Sequence, residues 1–200
     1  MILSLWGVPA PMSPLILVID ETPLPAAPEA AWLGELPAAR RAELMGWPDV
    51  PARHRSLLGS RLLREGLRQL GFPADSLASL HYAAHGKPVL DLPVEFSLAH
   101  CEGRILCAIS TAGPVGVDVE PIGALRAAEF RNYLSDEERA WAGDDPERFC
   151  ALWTQKEAIV KAAGTRGLAA MRDVRIDDWH VAPVLVGRGY CAHVAWPAIG

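Results

Sequence analysis

Gly116-Val117-Asp118-Val119-Glu120 is the segment best equipped for chemistry. As a strand it sets Asp118 and Glu120 on one face, their Cα atoms about 6.6 Å apart, and turns Val117 and Val119 to the other face, where they can enter a core. Two carboxylates side by side repel each other. A hard cation between them removes that repulsion, and Mg²⁺ commonly takes one or two carboxylates together with substrate phosphates. The plainer reading is an exposed strand face at a turn, and pattern alone favours it slightly.

A helix about thirty residues on supplies the second piece. Trp153, Glu157 and Lys161 stand at i, i+4 and i+8 and share one face, with Lys156 on the adjacent flank. A surface Glu–Lys pair contributing about 0.3–0.5 kcal/mol would account for any single such spacing. It does not account for where the lysines fall. Of 19 basic residues sixteen are arginine, leaving only Lys87, Lys156 and Lys161. Glu157 beside Asp118 and Glu120 would complete a magnesium site, and a lysine one turn away would offset phosphate charge. The third piece is Gly86-Lys87-Pro88, a rigid turn suited to a phosphate contact, followed by Phe96-Ser97-Leu98-Ala99-His100. Taken alone, the turn reads as an ordinary exposed one and His100 as a structural histidine.

Other segments must hold these residues in place. Leu15–Ile19 reads as a buried first strand, and 28–46 as a helix broken or kinked at Pro37. Leu58, Leu62, Leu63, Leu67 and Leu70 recur at helical spacing through 52–70, with Arg55, Arg61, Arg64 and Arg68 on much of the remaining surface. Gly71, Phe72 and Pro73 end that helix. Short strands are expected for LASLHYAA, VEFSL, RILCAIS and VGVDVE, separated by Gly and Pro signals. Ser135-x-x-Glu138 is a capping box. Asp145-Pro146 opens the helix PERFCALWTQKEAIVKAAG, which Gly164 closes. VRIDDW, APVLVG and YCAHVAW read as further strands.

The chain has 200 residues, 50% of them apolar and 22% charged, with a net charge of −5. That composition is globular, and the length allows one domain or two small ones. With no general basic footprint, a nucleic-acid-coating role is disfavoured. Cys101, Cys107, Cys150 and Cys191 form no C-x-x-C pair, which suits reduced thiols in a cytoplasmic protein. The apolar start lacks a basic n-region and is interrupted by Pro9, Pro11 and Pro14, so neither a signal peptide nor a membrane span is expected.

Together these pieces resemble the 4′-phosphopantetheinyl transferases, whose signature is G-[IV]-D-[IV]-E followed by [FW]-x-x-K-E-[AS]-x-x-K. GVDVE and WTQKEAIVK match both parts. Gly86-Lys87-Pro88, FSLAH, HRSLLG at 54–59 and Gly167-Leu168 are similar to segments of the longer, single-chain Sfp type. The similarity runs from about 40 to 168.

The resemblance implies an enzyme that moves phosphopantetheine from coenzyme A to a serine of an apo acyl, peptidyl or aryl carrier protein, releasing 3′,5′-ADP. Asp118, Glu120 and Glu157 would bind Mg²⁺, with Mn²⁺ as the alternative ion. Glu157 would also deprotonate the serine, directly or through water, and Lys161 would steady the phosphates and the departing nucleotide. Lys156, Lys87 with Pro88, His100, Arg40, Arg55 and Ser56 would contact coenzyme A. The implied fold is α+β: two similar halves, 1–102 and 103–200, related by a pseudo-twofold, each with an antiparallel sheet and a packed long helix. The cofactor would lie between them in one monomeric unit. Two departures stand out. Ala99-His100-Cys101 replaces S-H-S and so lacks a phosphate-holding hydroxyl, and Glu43 falls near a usually basic place. Two alternatives use the same residues: a Mg²⁺-dependent phosphohydrolase, and a non-catalytic module that binds coenzyme A or a carrier protein. Cys101 with His100 as a catalytic pair, and Cys101 with Cys107 as zinc ligands, are both disfavoured.

Overall fold

The computed structural model describes residues 13–83, 86–165 and 169–198. The first twelve residues and Gly167-Leu168 lie outside the described residues. The first strand, β1 (Leu15–Asp20), is followed by α1 (Ala26–Gly34), α2 (Ala38–Met45) and α3 (Val50–Gln69). The single helix expected over 28–46 is thus two helices. The break falls at Pro37, which is the N-cap of α2. Asp49 caps α3 by accepting from the Ala52 N–H at 3.1 Å.

The expected strand LASLHYAA begins inside a 3₁₀ turn, Ser76–Ser79, and only β2 (His81–Tyr82) is strand, paired with β3 (Pro88–Val89). Then come β4 (Glu95–Cys101), β5 (Arg104–Ser110) and β6 (Gly116–Pro121). A 3₁₀ segment, Ala127–Tyr133, leads to α4 (Asp136–Ala142) and α5 (Pro146–Ala162). The capping box forms as expected. The Ser135 hydroxyl accepts from Glu138 N–H at 3.1 Å, and the Glu138 carboxylate accepts from Ser135 N–H at 2.7 Å. Asp145 caps α5 through the N–H groups of Glu147 and Arg148. A short α6 (Ala169–Arg172) and a 3₁₀ turn at Ile176–Asp178 precede β7 (Trp179–Pro183) and β8 (Tyr190–Pro197). VRIDDW is therefore strand only at Trp179. APVLVG belongs to a strand only at its start.

Two three-stranded antiparallel sheets form the centre, in the orders β1-β5-β4 and β6-β8-β7. Each order runs first strand, last strand, middle strand. Strand β5 lies beyond the expected junction at 102/103, yet it completes the first sheet, so the change of sheet falls between Ser110 and Gly116. Alternation along β5 explains the layering. Ile105, Cys107 and Ile109 turn to the leucines of α3, while Leu106 and Ala108 turn to Val117, Val119, Ala192 and Val194 of the second sheet. Helix α5 covers the outer face of that second sheet, placing Ala158 and Ile159 against Ala195. The layers are thus helix, sheet, sheet, helix. Among the described residues no helix is long and apolar enough to cross a membrane.

Candidate functional site

Strand β6 does what its alternation requires: Val117 and Val119 are buried between the sheets, and Asp118 and Glu120 occupy the face under α5. Across the ladder, Asp118 is paired with His193 and Glu120 with Cys191. Gly116 lets the helix come this close. A Cβ there would stand 1.9 Å from the Ala158 carbonyl oxygen and 2.5 Å from the Ala162 nitrogen. The close approach sets Glu157 and Lys161 of α5 over the strand. The Lys161 ammonium donates to Asp118 Oδ1 at 2.6 Å and to the Val117 carbonyl at 3.1 Å. Asp118 is 5% exposed, and its second oxygen, Oδ2, is buried without a hydrogen-bond partner.

The three carboxylates feel one another. Burial, then the charges of Asp118 and Glu157, push Glu120 up to about 7, against the opposing pull of Lys161. Burial and the Asp118 charge raise Glu157 in the same way. Crowded, partly desolvated carboxylates with an orphaned buried oxygen make an all-oxygen donor set, which suits a hard divalent cation. A finished ligand set is not preformed, however. Among the described residues no group of three acidic, histidine or cysteine side chains is assembled to hold a metal ion. Lys161 takes one oxygen of Asp118 instead.

The other wall of the site comes from β4 of the first sheet and from the Lys87-Pro88 segment at the start of β3. A cleft of about 340 Å³ is lined by Lys87, Pro88, Phe96, Ser97 and Leu98 on one side and by Glu157, Val160, Lys161, Gly164 and Thr165 on the other. The Ser97 hydroxyl accepts from the Val117 N–H at 3.1 Å, joining β4 to β6 at its floor. Lys87 reaches Glu95 at 2.7 Å, which holds its ammonium over the cleft edge. His100 follows on β4. Its residue is exposed, but crowding around the ring and the nearby charges of Arg55 and Lys161 hold the imidazole below the usual histidine range. Arg55 is itself held by Glu21 at 2.9 Å, and Glu21 also accepts from the Gly103 N–H at 2.8 Å.

Not every expected residue reaches this cleft. Lys156 is fully buried, and its ammonium bonds Glu138 Oε1 at 2.5 Å. One position along a helix is a rotation of about 100°, so Lys156 points away from the face that Glu157 presents. Arg40 donates to the Ser56 hydroxyl at 2.5 Å, pairs with Glu43 at 2.8 Å and lies over the rings of Trp47 and Tyr82. Burial opposes ionisation of Glu43, but the hydrogen bonds from Arg40 and Tyr82 outweigh it and hold the carboxyl below its ordinary range. Neither Arg40 nor Ser56 lines the cleft described above, and Asp118, Glu120, Arg55 and His100 are not among its lining residues either; of the acidic trio only Glu157 faces it directly. Ala99 packs between the sheets with Leu106 and Val117, so its methyl belongs to the core. The Cys101 thiol is pushed up to about 12 by burial and by the charges of Glu120 and Asp118, which removes it as a nucleophile.

Reading the sequence missed Glu21, Glu95 and Ser97 as partners in the site, and His193, whose Nδ1 meets the Thr154 hydroxyl at 2.8 Å beneath it. Only Ser97 had a local signal, its place within FSLAH. The rest are set by pairing between distant segments.

Acidic and basic groups converging on one cleft from two sheets are the equipment of a protein that handles phosphates. Comparison with known proteins agrees. The family described as the 4′-phosphopantetheinyl transferase superfamily matches residues 114–195. The 4′-phosphopantetheinyl transferase gsp of Aneurinibacillus migulanus is 32% identical over 122 residues, covering 58% of this chain and 51% of the relative. The 4′-phosphopantetheinyl transferase of Bacillus subtilis is 28% identical over 176 residues, 82% of this chain and 78% of the relative. The 4′-phosphopantetheinyl transferase AcpT of Escherichia coli (strain K12) is 34% identical over 140 residues, 66% of this chain and 67% of the relative. The chain thus spans about half of the first relative and two thirds or more of the other two. The chain belongs to the 4′-phosphopantetheinyl transferase superfamily. Membership and the names of these relatives indicate the family's activity, transfer of phosphopantetheine to carrier proteins with coenzyme A as the substrate.

Proposed function

We propose that the chain is an Sfp-type, Mg²⁺-dependent enzyme that transfers 4′-phosphopantetheine from coenzyme A to a serine hydroxyl of an apo carrier protein, releasing 3′,5′-ADP. The grouping of Asp118, Glu120 and Glu157 around Lys161, with Glu157 and Lys161 lining a cleft whose other wall carries Lys87, is the observation that supports it. Asp118, Glu120 and Glu157 would hold the divalent cation, which supplies charge neutralisation at the pyrophosphate when bound. Glu157 accepts the serine proton, and burial with a neighbouring carboxylate raises its affinity for that proton, as a general base requires. Lys161 and Lys87 offset phosphate charge from opposite walls. His100 and Arg55 contact phosphate beside them, with Arg40 and Ser56 contributing further out. Lys156 acts through Glu138 rather than on the substrate.

In this reading the two halves are related by a pseudo-twofold, which the shared strand order of the two sheets supports. They divide the work: the first half contacts the nucleotide, and the second carries the metal and base. The unit is proposed to act as a cytoplasmic monomer. Intact-protein mass spectrometry of several apo carrier proteins, incubated with the chain, coenzyme A and Mg²⁺, tests the reading. One phosphopantetheine group should be gained, and the gain should vanish with EDTA or in Glu157→Gln. Normal gain in Glu157→Gln would remove Glu157 from the mechanism. Coenzyme A cleavage without carrier gain would instead indicate a phosphohydrolase.

A further inference from the structure

Lys161 holds a place that a cation-binding carboxylate set would need. Its ammonium sits 2.6 Å from Asp118 Oδ1 and 3.1 Å from the Val117 carbonyl. Asp118 has acceptor capacity to spare: it is 5% exposed, and its buried Oδ2 has no hydrogen-bond partner. A fixed lysine beside a buried carboxylate is a unit positive charge within contact distance, so a divalent ion arriving there meets direct repulsion. It must also break a charge-assisted hydrogen bond. Lys161 can leave: it is 32% exposed at the side chain and lines the cleft shared with Lys87. An anion in that cleft offers the ammonium an alternative partner.

We propose that Lys161 is an internal stand-in for the metal, which makes cation binding and binding of the phosphate-bearing substrate mutually dependent. Without the phosphate-bearing substrate, Lys161 neutralises Asp118 and the divalent ion binds weakly. Once phosphates occupy the cleft, Lys161 swings from Asp118 to them, and both oxygens of Asp118 become available beside Glu120 and Glu157. Linkage requires that the cation then tighten substrate binding by the same factor that the substrate tightens cation binding. The inference rests on the assignment of Asp118, Glu120 and Glu157 as the cation site.

Mn²⁺ binding followed by electron paramagnetic resonance, with no carrier protein present, tests it without turnover. In the wild-type chain, saturating coenzyme A should tighten Mn²⁺ binding about tenfold or more, within the usual 5–150-fold range of coupling between sites. In Lys161→Met, Mn²⁺ should bind the substrate-free protein about tenfold tighter than wild type, and the effect of coenzyme A should shrink correspondingly. Unchanged or weaker Mn²⁺ binding in substrate-free, folded Lys161→Met would overturn the proposal. Asp118→Asn is the separate control. If it binds Mn²⁺ as wild type does, the cation site itself is wrongly assigned. If it loses Mn²⁺ while Lys161→Met shows no gain, only the stand-in role fails.

Discussion

Glu120 carries the clearest electrostatic signature at the scale of single residues. Its carboxyl is pushed up to about 7, chiefly by burial and then by Asp118 and Glu157. An unfolded glutamate titrates near 4.3. Between about 4.3 and 7 the folded chain therefore holds a proton that the unfolded chain has released, and stability falls as pH rises through that window. His193 works in the opposite sense. Burial pushes it down to about 4, so its contribution is present above the ordinary histidine range near 6.5 and is lost as pH falls toward 4. The difference between two melting curves isolates Glu120. Relative to wild type, ligand-free Glu120→Gln should lose less melting temperature between pH 5 and 8. Parallel curves for the two proteins would mean that the carboxyl is not raised.

Two contacts at the scale of elements decide whether α5 can serve the site. Gly116→Ala would drive a methyl group into the backbone of Ala158 and Ala162, which has no side chain to rotate away. Overpacking of this kind costs about 1–3 kcal/mol. The helix must also lift from β6, so transfer should fall further than stability does; denaturant unfolding and initial rates on one preparation measure both. The second contact, Lys156 with Glu138, ties α5 to the capped start of α4. Lys156→Ala strands a largely buried carboxylate, and the expected loss is about 3 kcal/mol, the low end for a broken buried pair, because Glu138 keeps 19% exposure. The KM for coenzyme A of the folded fraction should barely change. A large rise in KM with unchanged stability would return Lys156 to the phosphate-binding set.

At the scale of the whole molecule, the site exists only because the two sheets are held together. Ser97 to Val117 is a direct tie between them, and Arg104 is another, reaching from the start of β5 to the Val186 carbonyl at 2.6 Å and lying over the Tyr190 ring. Ser97→Ala leaves the Val117 N–H buried and unpaired, which should cost about 1–3 kcal/mol. The same change loosens the floor of the cleft. We expect lower urea stability together with a higher KM for coenzyme A. Lower stability with an unaltered KM would show that the cleft does not depend on that tie.

Much of this protein is local and therefore legible in its sequence. Pro37 breaks a helix because a proline ring cannot sit in a helix interior, and Asp49, Ser135 and Asp145 start helices because their side chains satisfy exposed N–H groups. Alternation in GVDVE sends the valines to one face of the strand and the carboxylates to the other whatever lies opposite, here the other sheet and α5 respectively. The spacing of Glu157 and Lys161 puts both on one helical face. Weak local signals mislead: LASLHYAA and VRIDDW are strand at only two residues and one residue among the described positions, and the rest is 3₁₀ turn or irregular chain, because pairing with another strand, not local composition, decides which residues extend. The role of Lys156 was illegible because one step along a helix separates a cleft from a core, and only packed α4 shows which side is which. The join between the sheets after β5, the pairing of Arg55 with Glu21 and the hold of Lys161 on Asp118 are likewise tertiary facts. Residue types and periodicity fix what each segment can present. Which charge meets which depends on contacts between residues far apart in the chain, and only the folded structure decides those.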